Sequence, residues 1–122
     1  MSSLGELLEA DHREIDELLE KGAAGDIAAL TAFKKRLTAH MDAEEQILFP
    51  ALAGTPLATP FRMMTKEHDL LRELLADDDL QALPTCLGSH NNKEERVIYP
   101  ACVGPAFEAL IPRVAAALGA AA

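Results

Sequence analysis

Cysteine, aromatic residues and positive charge are all scarce in this chain. Two of its 122 residues are cysteine, Cys86 and Cys102, none is tryptophan, and aromatics make up 4%. Two cysteines with no C-x-x-C pair exclude a disulfide framework and a cysteine-rich zinc module; a reduced, cytoplasmic setting is expected. Lysine and arginine number 11 against 20 acidic residues, a formal charge of −9. Such a surface repels phosphate backbones and anionic lipid, so neither a nucleic-acid nor a membrane partner is expected. No apolar run approaches the ~20 residues that a transmembrane helix needs. The N-terminal stretch MSSLGELLEADH carries acids where an export signal carries Lys or Arg. Runs of β-branched residues and two-residue alternation are missing as well, which excludes a sheet. Hydrophobic residues at 49% and charged residues at 25% are ordinary for a folded chain of this size. The expectation is a single domain over residues 1–122.

The pattern that is present is helical. Residues 3–21 place Leu8, His12, Ile15 and Leu19 on one stripe, with Ser3 and Glu6 spaced as a capping box and Gly22 and Gly25 as stops. A second helix is predicted from Asp26, its N-cap, to about Pro50, with Phe33, Leu37, His40, Glu44 and Leu48 in line. A third covers 60–76, capped by Thr59, with Met64, His68, Leu71 and Leu75 on its face. The fourth covers 82–102 and aligns His90, Glu94, Val97, Ile98 and Ala101. Phe107–Leu118 reads as a short extra C-terminal helix interrupted near Pro112. Four helices with short connections predict an all-α, up-down-up-down four-helix bundle.

The two halves repeat. His40-Met-Asp-Ala-Glu44-Glu45-Gln-Ile-Leu-Phe49-Pro50-Ala51 aligns without gaps on His90-Asn-Asn-Lys-Glu94-Glu95-Arg-Val-Ile-Tyr99-Pro100-Ala101, and the segment around Asp11-His12 aligns on Glu67-His68. The halves differ in the span between their two histidines, 28 residues against 22. That difference falls in the connection, where length costs little. The repeat implies pseudo-two-fold symmetry.

All four histidines of the chain lie in this repeat, one per helix. On the second and fourth helices a glutamate follows at i+4, on the same face. A single histidine on an apolar face is ordinarily a core residue satisfied by one hydrogen bond. Four together with two glutamates are different, because each buried carboxylate costs several kcal/mol unless paired. The stripes carry no Arg or Lys to pair with them, so cations are the natural counter-charge. The candidate metal ligands are His12, His40, Glu44, His68, His90 and Glu94. Six nitrogen and oxygen donors are too many for one tetrahedral zinc, and magnesium and calcium prefer oxygen alone. Imidazole mixed with carboxylate suits iron or manganese. Symmetry assigns His12 and His40 to one ion, His68 and His90 to the other, with Glu44 and Glu94 bridging. Oxo, hydroxo, water or a small exogenous molecule completes each ion.

One histidine per helix, with H-x-x-x-E-E and aromatic-Pro on the second and fourth, resembles the hemerythrin-like HHE cation-binding family over residues 8–101. The resemblance implies a four-helix bundle holding a non-haem di-iron centre, with the same six residues as ligands. Manganese or zinc is the lesser expectation. It also implies a small oxidant as partner: dioxygen, peroxide or nitric oxide. The chain departs from the oxygen-carrying hemerythrins at two points. They have a second histidine on the third helix, where Met64 and Arg72 flank His68 here. Their last carboxylate is an aspartate at i+5, where this chain has Glu94 at i+4 and Glu95 at i+5, the latter usable only if the helix is irregular. The set resembles instead the four-His, two-Glu version of iron–sulfur repair proteins and many small bacterial members. Turnover at the centre, iron storage, delivery or sensing without turnover, and a metal pair that only stabilises the bundle all fit. Glu45 and Glu95 are either partners that orient the ligand imidazoles or solvated carboxylates. Phe61 and Met64 read as core or pocket lining, Tyr99 as structural or redox-active, and the two cysteines as ordinary small residues near the ends of the fourth helix, with redox sensing as the alternative.

Overall fold

The computed structural model describes residues 3–120, and among these there are helices and no strands. Helix α1 spans Leu4–Ala23 and starts as predicted: the Ser3 side chain accepts the Glu6 N–H at 3.1 Å. It outlasts its predicted end. Gly22 lies inside the helix and is buried, and a Cβ there would come within 3.0 Å of the Leu30 Cα. Gly22 therefore permits close approach of the next helix, and Gly25, at φ 110°, makes the turn.

Helix α2 covers Ile27–Ala43, with Asp26 accepting from the Ala29 N–H at 3.0 Å. It continues without a break through a π-helical segment, Glu44–Leu48, and a last turn, Phe49–Leu52. Helix α3 spans Ala58–Ala76. Thr59 is not its cap. The helix begins before it, with Leu57 at the N-cap and no side-chain cap bond; Thr55 shapes the preceding loop, its hydroxyl donating to the Leu52 carbonyl and accepting the Leu57 N–H. Pro60 fits inside the first turn, where an N–H has no helical partner anyway. Asp78, at φ 52°, and Asp79, which accepts the Ala82 N–H, turn the chain into α4. Helix α4 spans Leu83–Lys93, continues as a π segment, Glu94–Ile98, and ends in a 3₁₀ turn, Tyr99–Ala101. A short turn, α5 (Pro105–Glu108), leads to α6 (Ile111–Gly119). The stretch is interrupted near Pro112 as expected: it breaks at 109–110, and Pro112 sits in the first turn of the last helix, which suits proline.

α1 packs on α2, α3 on α4, and α6 lies across α1 and α2. The bundle core has two apolar layers. One contains Leu4, Leu8, Leu48, Phe49, Met64, Ile98, Tyr99 and Val114. The other contains Ile15, Phe33, Leu37, Met41, Leu71, Leu75, Leu83 and Leu87. No single helix among the described residues is long and apolar enough to cross a membrane.

The paired π segments position everything that follows. Pro50 and Pro100 lack the N–H that would bond back one turn, and their rings crowd the carbonyl four residues earlier. Each helix widens just before its proline: the Phe49 N–H bonds the Glu44 carbonyl, and the Tyr99 N–H bonds the Glu94 carbonyl, both i to i−5. This adds about one residue to the turn and moves the helix face. Regular spacing puts Val97 and Ala101 inward. They are exposed instead, Val97 at 48%, and Ile98 and Tyr99 take the interior positions.

Candidate metal centre

Between the apolar layers lies a buried polar layer. His12, His40, Glu44, His68, His90 and Glu94 meet there, none more than 3% exposed. They form two groups of potential metal donors, one of His12, His40, Glu44 and Glu94 and the other of Glu44, His68, His90 and Glu94. Both glutamates belong to both groups, which is the division that the repeat predicts. The π segment of α4 begins at Glu94, one turn after His90, so the irregularity does not bring Glu95 into the middle. Glu94 is fully buried, whereas the Glu95 side chain is 35% exposed and faces outward to His12.

The histidines pair by their Nε2 atoms, His12 with His40 at 3.1 Å and His68 with His90 at 3.1 Å. Their Nδ1 atoms face outward, each to a different carboxylate. His12 meets Glu95 at 2.8 Å, His40 meets Asp11 at 2.7 Å, His68 meets Glu45 at 2.7 Å and His90 meets Glu67 at 2.9 Å. An ionised carboxylate can only accept, so Nδ1 carries a proton and a neutral ring presents its Nε2 lone pair inward. This is how a protein orients and strengthens an imidazole ligand. Glu45 and Glu95 thus take the orienting role that their position one step off the stripe allows. Asp11 and Glu67 were missed. Their signal was an acidic residue immediately before the histidine on both odd-numbered helices of the repeat.

Basic residues hold three of these carboxylates from outside. Arg36 reaches Asp11 at 2.9 Å, Arg72 reaches Glu45 at 2.7 Å, and Lys93 reaches Glu67 at 2.6 Å. Glu95 has no Lys or Arg partner among the described residues.

The inner atoms are crowded with lone pairs. His68 Nε2 lies 3.1 Å from Glu44 Oε1, His12 Nε2 3.2 Å from Glu94 Oε1, and His90 Nε2 3.3 Å from the same oxygen. Glu44 Oε1 and Glu94 Oε2 are buried without any hydrogen-bond partner. Without metal the cluster balances itself by proton uptake. Burial works against a charged His40, but the Glu44 charge and the Asp11 hydrogen bond overcome it and raise the imidazole from 6.5 to about 10. Burial likewise opposes the charge on His90, and the hydrogen bond and charge of Glu94 raise it. Burial would raise Glu44, yet the His40 charge holds it well below 4.5. Two buried carboxylates, two orphaned oxygens and four aimed imidazoles fit a pair of divalent or trivalent cations. Imidazole mixed with carboxylate differs from the all-oxygen donor set that calcium takes.

Two aromatic residues at equivalent positions of the repeat close the layer. Phe49 stacks on His68 at 5.6 Å between ring centres and also meets Phe61 at 5.7 Å. Phe61 and Phe49, with Glu45, Pro50, Ala53 and Thr65, line an open cavity of about 310 Å³ on this side. Met64 is a buried core residue. Tyr99 places its hydroxyl among the donors, where it donates to Glu44 Oε2 at 2.6 Å. Burial and the charges of Glu44 and Glu94 push this hydroxyl well above its ordinary 10. Cys102 is buried and donates to the Ile98 carbonyl, and burial and the same two charges raise its thiol to about 12. Cys86 is free and half-buried.

A helical bundle with a mirrored His/Glu cation cluster at mid-height defines a class of cation-binding domains. The model of the hemerythrin HHE cation-binding domain matches residues 3–102, and the chain belongs to that family. No curated protein and no solved structure gives a significant match.

Proposed function

We propose that this protein is a non-haem di-iron protein that binds or reduces a small oxidant such as dioxygen, peroxide or nitric oxide. The observation that carries this reading is the sharing of Glu44 and Glu94 between two donor groups, each completed by its own histidine pair. Two iron ions supply electrons and an open coordination position for a small molecule. The chain's residues do the rest. Asp11, Glu45, Glu67 and Glu95 hold the imidazole protons outward, so that Nε2 is free. Glu44 and Glu94 provide two negative charges at the centre, and the apolar layers on either side exclude water. The chemistry of mixed imidazole and carboxylate donors favours iron over zinc, and manganese is the competing ion.

Metal analysis of protein from iron-supplemented cells, with absorption spectra before and after azide, tests the proposal. Two irons per chain and a spectrum that responds to azide are expected. A metal-replete sample holding at most one tightly bound ion would overturn it.

A further inference from the structure

The only tyrosine in the chain occupies an unusual place. Tyr99 Oη lies 2.6 Å from Glu44 Oε2, 3.1 Å from Glu94 Oε1, 3.1 Å from His12 Nε2 and 3.3 Å from His40 Nε2. Those four residues are the whole of one donor group. The equivalent residue of the other half, Phe49, offers His68 only a ring face. The placement is built into the backbone. The π segment turns Tyr99 inward, and α1 pins it there through Gly5, where an added Cβ would sit 3.2 Å from the Tyr99 Cβ.

One hydroxyl proton cannot serve four acceptors. When the imidazoles are neutral and aim Nε2 inward, Oη and its four neighbours surround one point with lone pairs, which a cation satisfies together in place of the protons that the empty cluster takes up. We propose that Tyr99 is a seventh protein ligand, binding through Oη the ion held by His12 and His40, and that the ion held by His68 and His90 has no such ligand. This rests on the di-iron reading above. On binding, the O–H bond is replaced by an oxygen–iron bond and the proton leaves to solvent; no electron is transferred. Phenolate is a strong donor to iron(III), so the two positions are chemically different although their histidines mirror each other.

The test is optical and structural rather than catalytic. Wild type and Tyr99→Phe, both loaded with iron(III), are compared by iron content, visible absorption and resonance Raman scattering. Wild type is expected to show a phenolate-to-iron charge-transfer band with enhanced tyrosine ring modes. Tyr99→Phe should keep two irons and lose both signals. Because there is one tyrosine, ring-deuterated tyrosine incorporated into wild type assigns the modes without relying on any variant. Two irons per chain with no tyrosine modes would overturn the ligand and leave the di-iron reading intact. One iron per chain with the modes present would overturn the di-iron reading and sustain the ligand.

Discussion

The two halves of the cation cluster agree in what touches the centre and differ in what surrounds it. Both have a histidine pair at 3.1 Å, a shared pair of glutamates and an outward carboxylate on every ring. The differences begin one step further out. Tyr99 faces His12 and His40, whereas the ring of Phe49 covers His68. Arg72, four residues after His68, holds Glu45. Four residues after His12 the repeat has Asp16 instead, beside a Glu95 with no Lys or Arg partner among the described residues. Burial raises the Asp16 carboxyl above 3.8, and the Glu95 charge adds to this against the pull of His12. The His12–His40 position is therefore the more negative, and by Coulomb's law it favours the ion of higher charge. A repeat can keep its ligands symmetric and still make two unequal positions through their neighbours.

The largest test asks whether the centre is one unit or two. Glu94→Ala removes a donor common to both groups, whereas His68→Ala removes one from a single group. Glu94→Ala should lose both ions together. His68→Ala should keep the ion at His12 and His40, since water can take the vacated place at the other. Iron stoichiometry on folded samples decides it; a Glu94→Ala protein that retains one ion at wild-type affinity would mean that the halves are independent.

Next in size is the pH response of the metal-free protein. His40 titrates near 10 when folded and at 6.5 ordinarily. A raised imidazole pKa contributes stability that is fully present below about 6.5 and is lost as pH rises through about 10. Chelated protein should therefore melt at lower temperature as pH climbs across that window, by about 4 °C for each kcal/mol lost. Iron affinity should move the opposite way, because the ion displaces the proton on His40. Thermal unfolding and proton release on iron binding check the two arms. A metal-free midpoint that rises from pH 7 to 10 would contradict the His40–Glu44 pairing.

These comparisons use residues that differ in how far they could be read from sequence. The six central side chains lie together because they share helical stripes, and a 3.6-residue period detects a stripe directly. Glu45 and Glu95 were legible as off-stripe companions. Asp11 and Glu67 were hidden for a geometric reason: they hold a histidine on the neighbouring helix, and a period along one helix says nothing about partners across the gap. Val97 and Ala101 were misplaced by the π segment. Its cause, Pro50 and Pro100 after an aromatic residue, was in plain view, but a proline near a helix end reads first as a terminus. Thr59 failed as a cap because the helix starts earlier, at Ala58, which leaves Thr59 inside its first turn. Arg36 and Lys93 stood off the stripes, and Arg72 was noted only as standing one turn from His68 where the oxygen carriers have a second histidine. They act one step further out, on the carboxylates that hold the rings.

A smaller effect separates the outer carboxylates. Glu45→Gln and Glu95→Gln each weaken the hold on one imidazole while leaving the inner donors in place. Loss of such a partner costs about 10–100-fold in metal affinity. The Glu95 change should fall at the larger end, because no Lys or Arg among the described residues already offsets its charge. The Glu45 change also releases Arg72, which retains Asp42 at 3.0 Å. Competition with a chelator of known affinity measures both. Equal losses would remove the electrostatic distinction between the halves and leave only the aromatic one.

The smallest prediction tries to erase that distinction. Asp16→Arg puts at the first half the cation that Arg72 provides at the second. Asp16 is exposed, so the new charge is screened, and an exposed ion pair contributes only about 0.2–1 kcal/mol. The expected outcome is a change in affinity of at most about fivefold at the His12–His40 position, since 1.4 kcal/mol is tenfold. The sign is definite. A cation on Glu95 withdraws negative charge from the His12 ring, so the variant should hold iron(III) less tightly relative to iron(II). Its reduction potential should shift upward, toward that of the second position. Arg72→Asp, the reverse exchange, releases Glu45 and should shift the His68–His90 position downward. Potentiometric titration of both variants beside wild type measures the two shifts. If both variants moved the potential in the same direction, the inequality of the halves would owe nothing to these outer charges, and Tyr99 alone would have to account for it.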